Sequence, residues 1–482
     1  MNLILATDSY KQSHFKQFPP GAAYVSSYVE ARVGSNPDAR VLFFGLQAFI
    51  RQYLTDPITQ SDISRAERVL AAHGEPFNKA GWQRILDEHD GYLPIEIQAL
   101  PEGTLVKRGT PVIQIRNTDP TMPWLPGHIE TALLRATWYG SSVATQSFLV
   151  KSIIYDAMVK SSDSLDGLPF KLHDFGARGV SSSESAGLGG MAHLVNFAGT
   201  DTLEALAYAT EFYDAEAAVG FSLPASEHST MTSWGPASEV AAYENMLDKF
   251  GDGLVSIVSD SYDLFNAVEN IFGGTLKDKI LNMGGKLVVR PDSGDPIATP
   301  LRVIQILWDK FGGTVNSKGF KVLHPKVGVI QGDGMDSAKI GMFINRLLEA
   351  GFSMDNIVFG MGGGLLQGHM RDDQRWAMKA NAIQFLSPGT WQDVQKKPAT
   401  DPTKASKAGR QAVVETNGQL QAIREDELGG ILDNELLMVW KDGISYRDTT
   451  FDEVRARAHQ AMLDFHAEVF VRNDEEVPAA AE

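Results

Sequence analysis

The segment LVVRPDSGDP, residues 287–296, places a short run of apolar, β-branched residues directly before a cluster of small and charged ones. Six other segments repeat this pattern: KLHDFGARG from Lys171, LVNFAGTD from Leu194, VGFSLPASEH from Val219, LVSIVSDSYD from Leu254, VGVIQGDGMD from Val327 and NIVFGMGGGLL from Asn356. Successive segments begin 20 to 40 residues apart, which leaves room for a strand, a loop and a helix in each. Apolar runs of this length are typical of strands buried on both faces of a parallel sheet. The pattern predicts a β/α barrel, in which polar groups at the carboxyl ends of the strands line one mouth.

Composition and net charge limit the class of protein. The chain has 482 residues, enough to form two or three hydrophobic cores. It contains no cysteine, which excludes disulfides, thiol nucleophiles and cysteine-ligated metal centres. The formal net charge of −17 argues against a general nucleic-acid-binding protein, because neutralising phosphates requires an excess of Lys and Arg. We therefore expect a globular protein that binds no nucleic acid.

The first part of the sequence predicts neither a membrane span nor a secretory signal. The apolar stretch VLFFGLQAFI, residues 41–50, is too short to cross a bilayer. The first residues, MNLILATDSYKQSH, lack the basic segment of a signal peptide. We expect a cytoplasmic protein that does not associate with a membrane.

Segments outside the barrel pattern indicate a second domain. Residues 24–33 alternate like a strand, residues 94–118 have the pattern of a β-meander, and residues 127–160 have helical spacing. Strand-like alternation returns after the segment KKPATDPTKASKAGR, residues 396–410, which is rich in Pro and Lys and predicts a loop.

The predicted fold class is α/β, with an irregular β/α barrel inserted in an α+β sandwich-like domain that both chain ends build. We expect the barrel to be the catalytic domain over residues 161–379, and the α+β domain to combine residues 1–160 with 380–482. The final residues, NDEEVPAAAE from Asn473, predict a disordered tail.

The glycine-rich segment FGMGGGLLQ, residues 359–367, follows the last apolar run and carries four glycines. Glycines let backbone N–H groups approach an anion, and β/α barrels often bind a phosphate in their last strand–helix loops. The alternative is a tight turn, although a turn needs one or two glycines rather than four. The segment therefore predicts a phosphate site, and QGDG at residues 331–334 repeats the signal more weakly.

The segments RPDSGDP and SDSYD bring charged side chains to two further strand ends. Arg290 and Asp292 stand two residues apart, and therefore on the same side of an extended strand end. Asp260 and Asp263 add two carboxylates from the preceding segment. Arginine suits a phosphate or a polar ring substituent, whereas aspartates suit sugar hydroxyls, a magnesium-bound polyphosphate or a cationic transition state. An internal salt bridge between Arg290 and Asp292 is the alternative.

Aromatic and imidazole side chains follow other apolar runs. Phe175 and Arg178 form an aromatic and cationic pair that either stacks on a planar ligand or caps the core. His228 can act as a base or a nucleophile if a carboxylate fixes its tautomer, and a structural histidine is the alternative. His173 and His193 fall nearer to strand starts or helix interiors, so we expect them to pack in the core.

Eight motifs link the chain to a known family. In order, they are ATDSYKQSHFKQFPPG, KLHDFGARGVSS, HLVNFAGTDT, PASEHSTMT, VSDSYD, RPDSG, VIQGDG and FGMGGGLLQ. Together they closely resemble the nicotinamide phosphoribosyltransferases over nearly the whole chain, and such an ordered set is far more specific than one glycine-rich loop. The resemblance implies that nicotinamide displaces pyrophosphate from 5-phosphoribosyl 1-pyrophosphate (PRPP) and forms nicotinamide mononucleotide, a step of NAD salvage.

The resemblance implies a set of residues that bind the base. Phe175 is expected to stack on one face of the nicotinamide ring, and Tyr10 of a second subunit on the other face. Asp201 is expected to accept from the carboxamide N–H group and to repel the carboxylate of nicotinate. Ser256 and Arg290 complete the implied carboxamide contacts. These roles place the active sites at the subunit interface of a homodimer.

A second implied set binds PRPP. Asp292, with Asp260 nearby, is expected to bind the ribose hydroxyls, and both are expected to hold magnesium through water or substrate. The other implied residues are Arg178, Gly332, Gly362 and Gly363 at the ribose 5-phosphate, Arg32, Arg371 and Lys379 at the pyrophosphate across the dimer interface, and Asp333 of the QGDG motif.

His228 falls on the histidine that is phosphorylated in this family. The resemblance implies that ATP hydrolysis passes through this phosphohistidine and is coupled to synthesis without being strictly required. The expected catalytic residues are therefore His228, Asp260 and Asp292, with Mg²⁺ as cofactor and ATP as a coupled co-substrate.

Three alternative functions stay open at this point. One is a phosphoribosyltransferase that prefers nicotinate, and a second is a non-catalytic signalling protein with the same fold. The third, from the barrel pattern alone, is an aldolase or isomerase acting on a sugar phosphate. That chemistry needs a lysine or an acid–base pair at a strand end, whereas Lys171 stands at a strand start.

Overall fold

A computed structural model describes residues 2–34, 36, 38–401, 404–430 and 432–471. The predicted tail from Asn473 lies outside the described residues. By its internal contacts the chain divides into two compact units. We call the first the sheet unit, which comprises residues up to Thr145, Tyr208–Ala215 and His369–Ala458. We call the second the barrel unit, which comprises Gln146–Ala207, Glu216–Gly368 and the chain from His459.

The secondary structure alternates between strands and helices through much of the chain. The strands are β1 (Ala22–Ala31), β2 (Arg40–Leu42), β3 (Ile95–Ala99), β4 (Leu105–Lys107), β5 (Pro111–Asn117), β6 (Leu172–Asp174), β7 (Gly199–Thr200), β8 (Leu254–Val258), β9 (Lys286–Arg290), β10 (Gly313–Val315), β11 (Lys321–Leu323), β12 (Val327–Gln331), β13 (Ile357–Met361), β14 (Trp376–Phe385), β15 (Trp391–Asp393), β16 (Gln411–Thr416), β17 (Gln419–Arg424), β18 (Leu437–Lys441) and β19 (Ile444–Ser445).

The α-helices are α1 (Leu46–Tyr53), α2 (Gln60–His73), α3 (Lys79–Glu88), α4 (Leu125–Ser161), α5 (Ser183–Leu194), α6 (Leu203–Tyr213), α7 (His228–Thr232), α8 (Glu239–Phe250), α9 (Leu264–Asn266), α10 (Lys277–Asn282), α11 (Ala298–Phe311), α12 (Ser337–Glu349), α13 (Gly363–Leu366) and α14 (Phe451–His466). A π-helical turn, Ala267–Thr275, continues α9. Among the described residues, no helix has the length and apolar character needed to cross a bilayer.

The barrel unit is built on parallel strands in the order β7-β6-β13-β12-β9-β8, six of them in the described part of the chain. Strand β12 is buried at all five positions, which explains why its sequence does not alternate. Helix α11 covers part of the outside and buries Val303, Ile304 and Leu307. The predicted α/β fold with an irregular β/α barrel is confirmed.

One predicted strand is replaced by an irregular connection that closes the barrel. In the segment that begins at Val219, Phe221 forms a parallel bridge with Gly199 of β7, and Ala225 forms another with Ser256 of β8. The segment therefore joins the two edges of the parallel sheet. Pro224 lies between these bridges and has no N–H group, so a continuous ladder cannot form there.

The sheet unit contains an antiparallel sheet with the strand order β15-β14-β1-β5-β3-β18-β19. Its strands come from both the first and the last parts of the sequence. The strand that alternation predicted at residues 24–33 is present as β1, and the helix that spacing predicted at residues 127–160 is present as α4. The predicted meander at residues 94–118 is only partly present, because β3 pairs with β5 whereas β4 pairs with β2.

Candidate active site

Five of the residues expected to bind substrate line one cavity in the barrel unit. The cavity has a volume of about 190 Å³. Its lining includes Phe175, Arg178, Asp201, Ser256 and Arg290. Phe175 and Asp201 directly follow β6 and β7, and Arg290 is the last residue of β9. The strand ends therefore deliver an aromatic ring, a carboxylate and a guanidinium group to one space. Ser256, in the middle of β8, adds a hydroxyl, and Arg178, in the loop after β6, adds a second guanidinium group.

The ring of Phe175 is seated on glycines. A Cβ atom at Gly360 would lie 2.4 Å from Cε2 of Phe175, and one at Gly332 would lie 3.5 Å from the same atom. The ring of His173 lies against the same phenyl group, with centroids 4.6 Å apart and planes inclined by 35°. The Phe175 N–H group donates to the carbonyl of Met361 at 2.9 Å. Gly360, in the motif that predicted a phosphate site, is therefore needed to admit the aromatic ring.

The loop after β6 packs directly on the glycine-rich loop after β13. A Cβ atom at Gly179 would lie 3.0 Å from the Cα atom of Gly363, so the two backbones are in close contact. The buried Asp174 carboxylate stabilises the first loop by accepting from the Gly176 N–H group at 2.7 Å. Arg178, Gly362 and Gly363, all expected at the ribose 5-phosphate, are thereby brought together, and Gly332 lies beside the Phe175 ring.

Asp201 is held by two hydrogen-bond donors on a single oxygen. Nε2 of His173 lies 2.8 Å from Oδ1 of Asp201, and the Ser222 hydroxyl donates to the same oxygen at 2.5 Å. Burial opposes ionisation of Asp201, but these hydrogen bonds and the charge of Arg290 outweigh it, so the pKa of Asp201 lies below its usual value. The residue is therefore an ionised acceptor at the wall of the cavity.

Two further polar groups at the cavity lack protein partners within the described residues. The Ser256 hydroxyl oxygen and the Nε atom of Arg290 are buried without a hydrogen bond. The Arg290 side chain is oriented by its Nη2 atom, which donates to the carbonyl of Ser226 at 2.9 Å. Because buried polar groups are normally hydrogen-bonded, this pair suits a ligand that carries both a donor and an acceptor.

His228 lies between two carboxylates at the same end of the barrel. Its Nε2 atom is 3.0 Å from Oδ1 of Asp260, and its Nδ1 atom is 3.6 Å from Oδ2 of Asp292. Ser293 donates to the other oxygen of Asp260. The His228 side chain is 41% exposed, so ligands can reach it. Carboxylates on both sides therefore orient the imidazole ring.

Asp292 lies in a locally acidic environment. Burial and the nearby charges of Asp260 and Asp333 raise its pKa, although Arg290 and His228 act in the opposite direction. A bound cation would relieve this repulsion, so the carboxylates fit the chemistry of magnesium. No group of three or more His, Cys, Asp or Glu residues in the described ranges could hold a metal by itself. Substrate oxygens or waters would have to complete such a site.

The other expected substrate residues lie in the sheet unit. Burial and the charges of Arg32, Lys396 and Arg371 lower the pKa of Lys379, against the opposing effect of Glu130. Arg32, Arg371 and Lys379 therefore form a cationic cluster within this unit. Tyr10 is 59% exposed. Its role in the site of a second subunit stays a prediction.

Two site residues differ from the sequence interpretation. His173 is buried, as expected, but its ring also contacts Phe175 and Asp201 at the cavity, which was not expected. The spacing of His173 and Phe175 could have indicated this, because residues two apart on a strand face the same side and His173 precedes Phe175 by two. Asp263, offered as a site carboxylate, instead caps α9 by accepting from the Asn266 N–H group at 3.0 Å. Ser222 was missed, because nothing in its local sequence marks it.

Comparison with known proteins identifies similar sequences along the whole chain. The family model of the nicotinate phosphoribosyltransferase (NAPRTase) family matches residues 170–435, and the model of the nicotinamide phosphoribosyltransferase N-terminal domain matches residues 2–97. A nicotinamide phosphoribosyltransferase of Xanthomonas campestris pv. campestris (strain 8004) is 47% identical over 470 residues, covering 96% of this chain and 99% of the relative. A nicotinamide phosphoribosyltransferase of Acinetobacter baylyi is 33% identical and covers 96% of this chain and 98% of the relative.

Solved structures share the fold at low sequence identity. The nicotinate-nucleotide pyrophosphorylase from Pyrococcus furiosus aligns with a TM-score of 0.62 and 15% identity over 96% of each chain. Human nicotinic acid phosphoribosyltransferase aligns with a TM-score of 0.53 and 18% identity over 95% of this chain and 94% of its own. Since relatives at 47% and 33% identity align along nearly their full lengths, the chain belongs to the nicotinamide phosphoribosyltransferases of the NAPRTase family.

Proposed function

We propose that this chain is a pentosyltransferase that transfers the phosphoribosyl group of PRPP to nicotinamide. The products are nicotinamide mononucleotide and pyrophosphate, and the reaction returns nicotinamide to NAD synthesis. One observation carries the proposal: an ionised Asp201, the unpartnered Ser256 hydroxyl and the unpartnered Arg290 Nε atom surround the cavity beside the Phe175 ring.

The cavity matches the donors and acceptors of a carboxamide. Asp201 can accept from the amide N–H₂ group, whereas Arg290 and Ser256 can donate to the amide oxygen. The phenyl ring of Phe175 provides a flat wall against which a pyridine ring can stack. Nicotinate would place a second carboxylate beside ionised Asp201, and the two like charges would repel each other, whereas the neutral amide is not repelled. The site therefore favours the amide over the acid.

The chemical step exchanges one bond at the anomeric carbon. The lone pair of the pyridine nitrogen forms the new C–N bond, and pyrophosphate leaves with the electron pair of the broken C–O bond. The nitrogen is itself the nucleophile and needs no general base, so orientation of the ring makes the main contribution of the base site. Positive charge develops on the ribose during this exchange. Asp260 and Asp292 stabilise that charge more in the transition state than in the ground state.

Binding of PRPP is assigned to the two strand-end loops and to the carboxylates. Arg178 with the backbones of Gly362 and Gly363 binds the 5-phosphate, with Gly332 beside them. Asp260 and Asp292, together with substrate or water oxygens, would hold magnesium, which would neutralise negative charge on the pyrophosphate. Asp333 adds to the negative field that attracts this cation, since its charge raises the pKa of Asp292.

We assign the cationic cluster of Arg32, Arg371 and Lys379 to the leaving pyrophosphate. In this proposal the enzyme is a homodimer in which each subunit supplies this cluster and Tyr10 to the site of its partner. The cluster and the exposed Tyr10 ring support it, because clustered cations suit a pyrophosphate and an exposed aromatic ring can stack on a base.

We assign ATP coupling to His228. An imidazole nitrogen attacks the γ-phosphorus of ATP, the bond to the bridging oxygen breaks, and ADP leaves with that electron pair. Asp260 and Asp292 on either side support the positive charge that the ring gains. The test is radiolabelled γ-phosphate transfer to the protein, which should be acid-labile and absent from His228→Ala.

The decisive test measures nucleotide and pyrophosphate formation from PRPP with nicotinamide or nicotinate in turn. We expect a higher kcat/KM with nicotinamide, and a reduced preference in Asp201→Ser, which removes the charge. A preference for nicotinate in the unaltered enzyme would refute the assignment of the base. Absence of product with either base would favour a non-catalytic protein.

A further inference from the structure

His173 is closely packed at the wall of the cavity that contains Phe175, which we call the base cavity. Its neighbour across the parallel ladder is Gly199, where a Cβ atom would lie only 2.8 Å from Nδ1 of His173. The imidazole also contacts the Phe175 ring at a centroid distance of 4.6 Å. The residue is 9% exposed. Both neighbours therefore restrain the ring, whose Nε2 atom lies 2.8 Å from Oδ1 of Asp201.

The hydrogen bonds to Asp201 are unequal between its two oxygens. Oδ1 lies 2.8 Å from His173 Nε2 and receives the Ser222 hydroxyl at 2.5 Å. Within the described residues, no hydrogen bond reaches Oδ2. Two donors on one oxygen fix the plane of the carboxylate and leave the second oxygen for a ligand.

We propose that His173 is the residue that selects the carboxamide, acting through Asp201. In the tautomer that carries hydrogen on Nε2, it donates to Oδ1, keeps the carboxylate ionised and turns Oδ2 toward the amide of the base. His173 is a positioning residue, since it acts through the carboxylate rather than on the reacting atoms. This inference rests on the proposed function, because it assumes that Asp201 receives the base.

The experiment compares variants of His173 that remove the Nε2 donor, replace it at a similar distance, or carry it on a shorter side chain. His173→Phe keeps a planar ring without a donor, and His173→Gln places an amide N–H₂ group near the position of Nε2. His173→Asn carries the same amide on a shorter side chain that does not reach Oδ1. His466→Phe is the matched control, because Nε2 of His466 lies 3.3 Å from Oδ1 of Asp156 and neither residue lines the base cavity.

Each variant is assayed for kcat/KM with nicotinamide and with nicotinate, for KM of PRPP, and for its melting temperature. A hydrogen bond to a charged group is stronger than one between neutral groups. Its loss in His173→Phe and His173→Asn should therefore lower the ratio of kcat/KM for nicotinamide to kcat/KM for nicotinate at least about tenfold. The ratio in His173→Gln should stay within about threefold of the unaltered enzyme. KM for PRPP should change little, and His466→Phe should keep the original ratio.

An unchanged ratio in His173→Phe or His173→Asn, in folded protein, would overturn the proposal. If His173→Phe does not fold, the comparison of His173→Asn with His173→Gln decides the matter, and equal ratios in those two variants would also overturn it. The proposed function fails separately, namely if the unaltered enzyme does not use nicotinamide at all.

Discussion

Replacing Gly360 with alanine should displace the aromatic wall of the base cavity. The added Cβ atom would lie 2.4 Å from Cε2 of Phe175, about 1 Å short of ordinary van der Waals contact. Phe175 cannot yield freely, because its other neighbours include the His173 ring and the backbone of Met361. Misplacing a positioning group by about 1 Å can cost about 100-fold in rate. We therefore expect kcat/KM for nicotinamide to fall by about two orders of magnitude.

The matched control is Gly341→Ala, a residue with no assigned role in the site. No atom lies within 4 Å of the added carbon, so kcat/KM for nicotinamide should change by less than about threefold. Steady-state kinetics with each base and thermal unfolding provide the readouts. If folded Gly360→Ala kept the nicotinamide kinetics of the unaltered enzyme, the ring would not have the structural role inferred for it.

Three further predictions follow from the charges and exposed groups of the site. Asp201→Asn should reduce the preference for nicotinamide over nicotinate by at least about tenfold in kcat/KM, because the repulsive charge is lost, and an unchanged ratio would contradict that role. His228→Ala should retain synthesis but lose its stimulation by ATP, measured as ADP formed per nucleotide, and ATP-stimulated synthesis in this variant would exclude the phosphohistidine. Tyr10→Ala and Asp292→Ala should each be weakly active alone and regain activity when refolded together, because in a mixed dimer the intact Asp292 of one subunit meets the intact Tyr10 of the other in one site; no recovery would count against shared sites.

Much of the barrel was predictable from local sequence. The apolar run VGVIQ forms strand β12 because a strand buried on both faces must be apolar at consecutive positions. The run LVVR forms strand β9, in which alternate residues are fully buried. The run from Val219 has similar composition, but Pro224 interrupts its hydrogen bonding, and its bridges reach β7 and β8 at opposite edges. Pairing between segments so far apart in sequence depends on the closed sheet, which no local pattern specifies.

The predicted meander illustrates the same limit in the sheet unit. The apolar alternation correctly indicated strands at β3, β4 and β5. It could not indicate that β4 pairs with β2 rather than with its sequence neighbours. Strand propensity is local, whereas the choice of partner depends on which edges are left uncovered after the sheet assembles.

Residue types at the strand ends were likewise informative, but their hydrogen bonds were not. Asp260 and Asp263 occur in one short motif, yet one contacts His228 and the other caps a helix. The four glycines of the last motif also divide their roles, since Gly360 admits the Phe175 ring and Gly363 contacts the loop at Gly179. These differences arise from distances of one or two ångströms that composition and spacing do not contain.

By itself, the sequence determined the class of fold, the strand ends that carry polar groups, and, through eight ordered motifs, the family. The pattern of strands and helices can be read from sequence because it depends on the spacing of apolar residues along the chain. Only the tertiary structure decided that His173 and Ser222 converge on one oxygen of Asp201, leaving the other for a ligand. That arrangement joins β6, the end of β7 and the irregular segment that closes the barrel, and such convergence exists only once the sheet has curled.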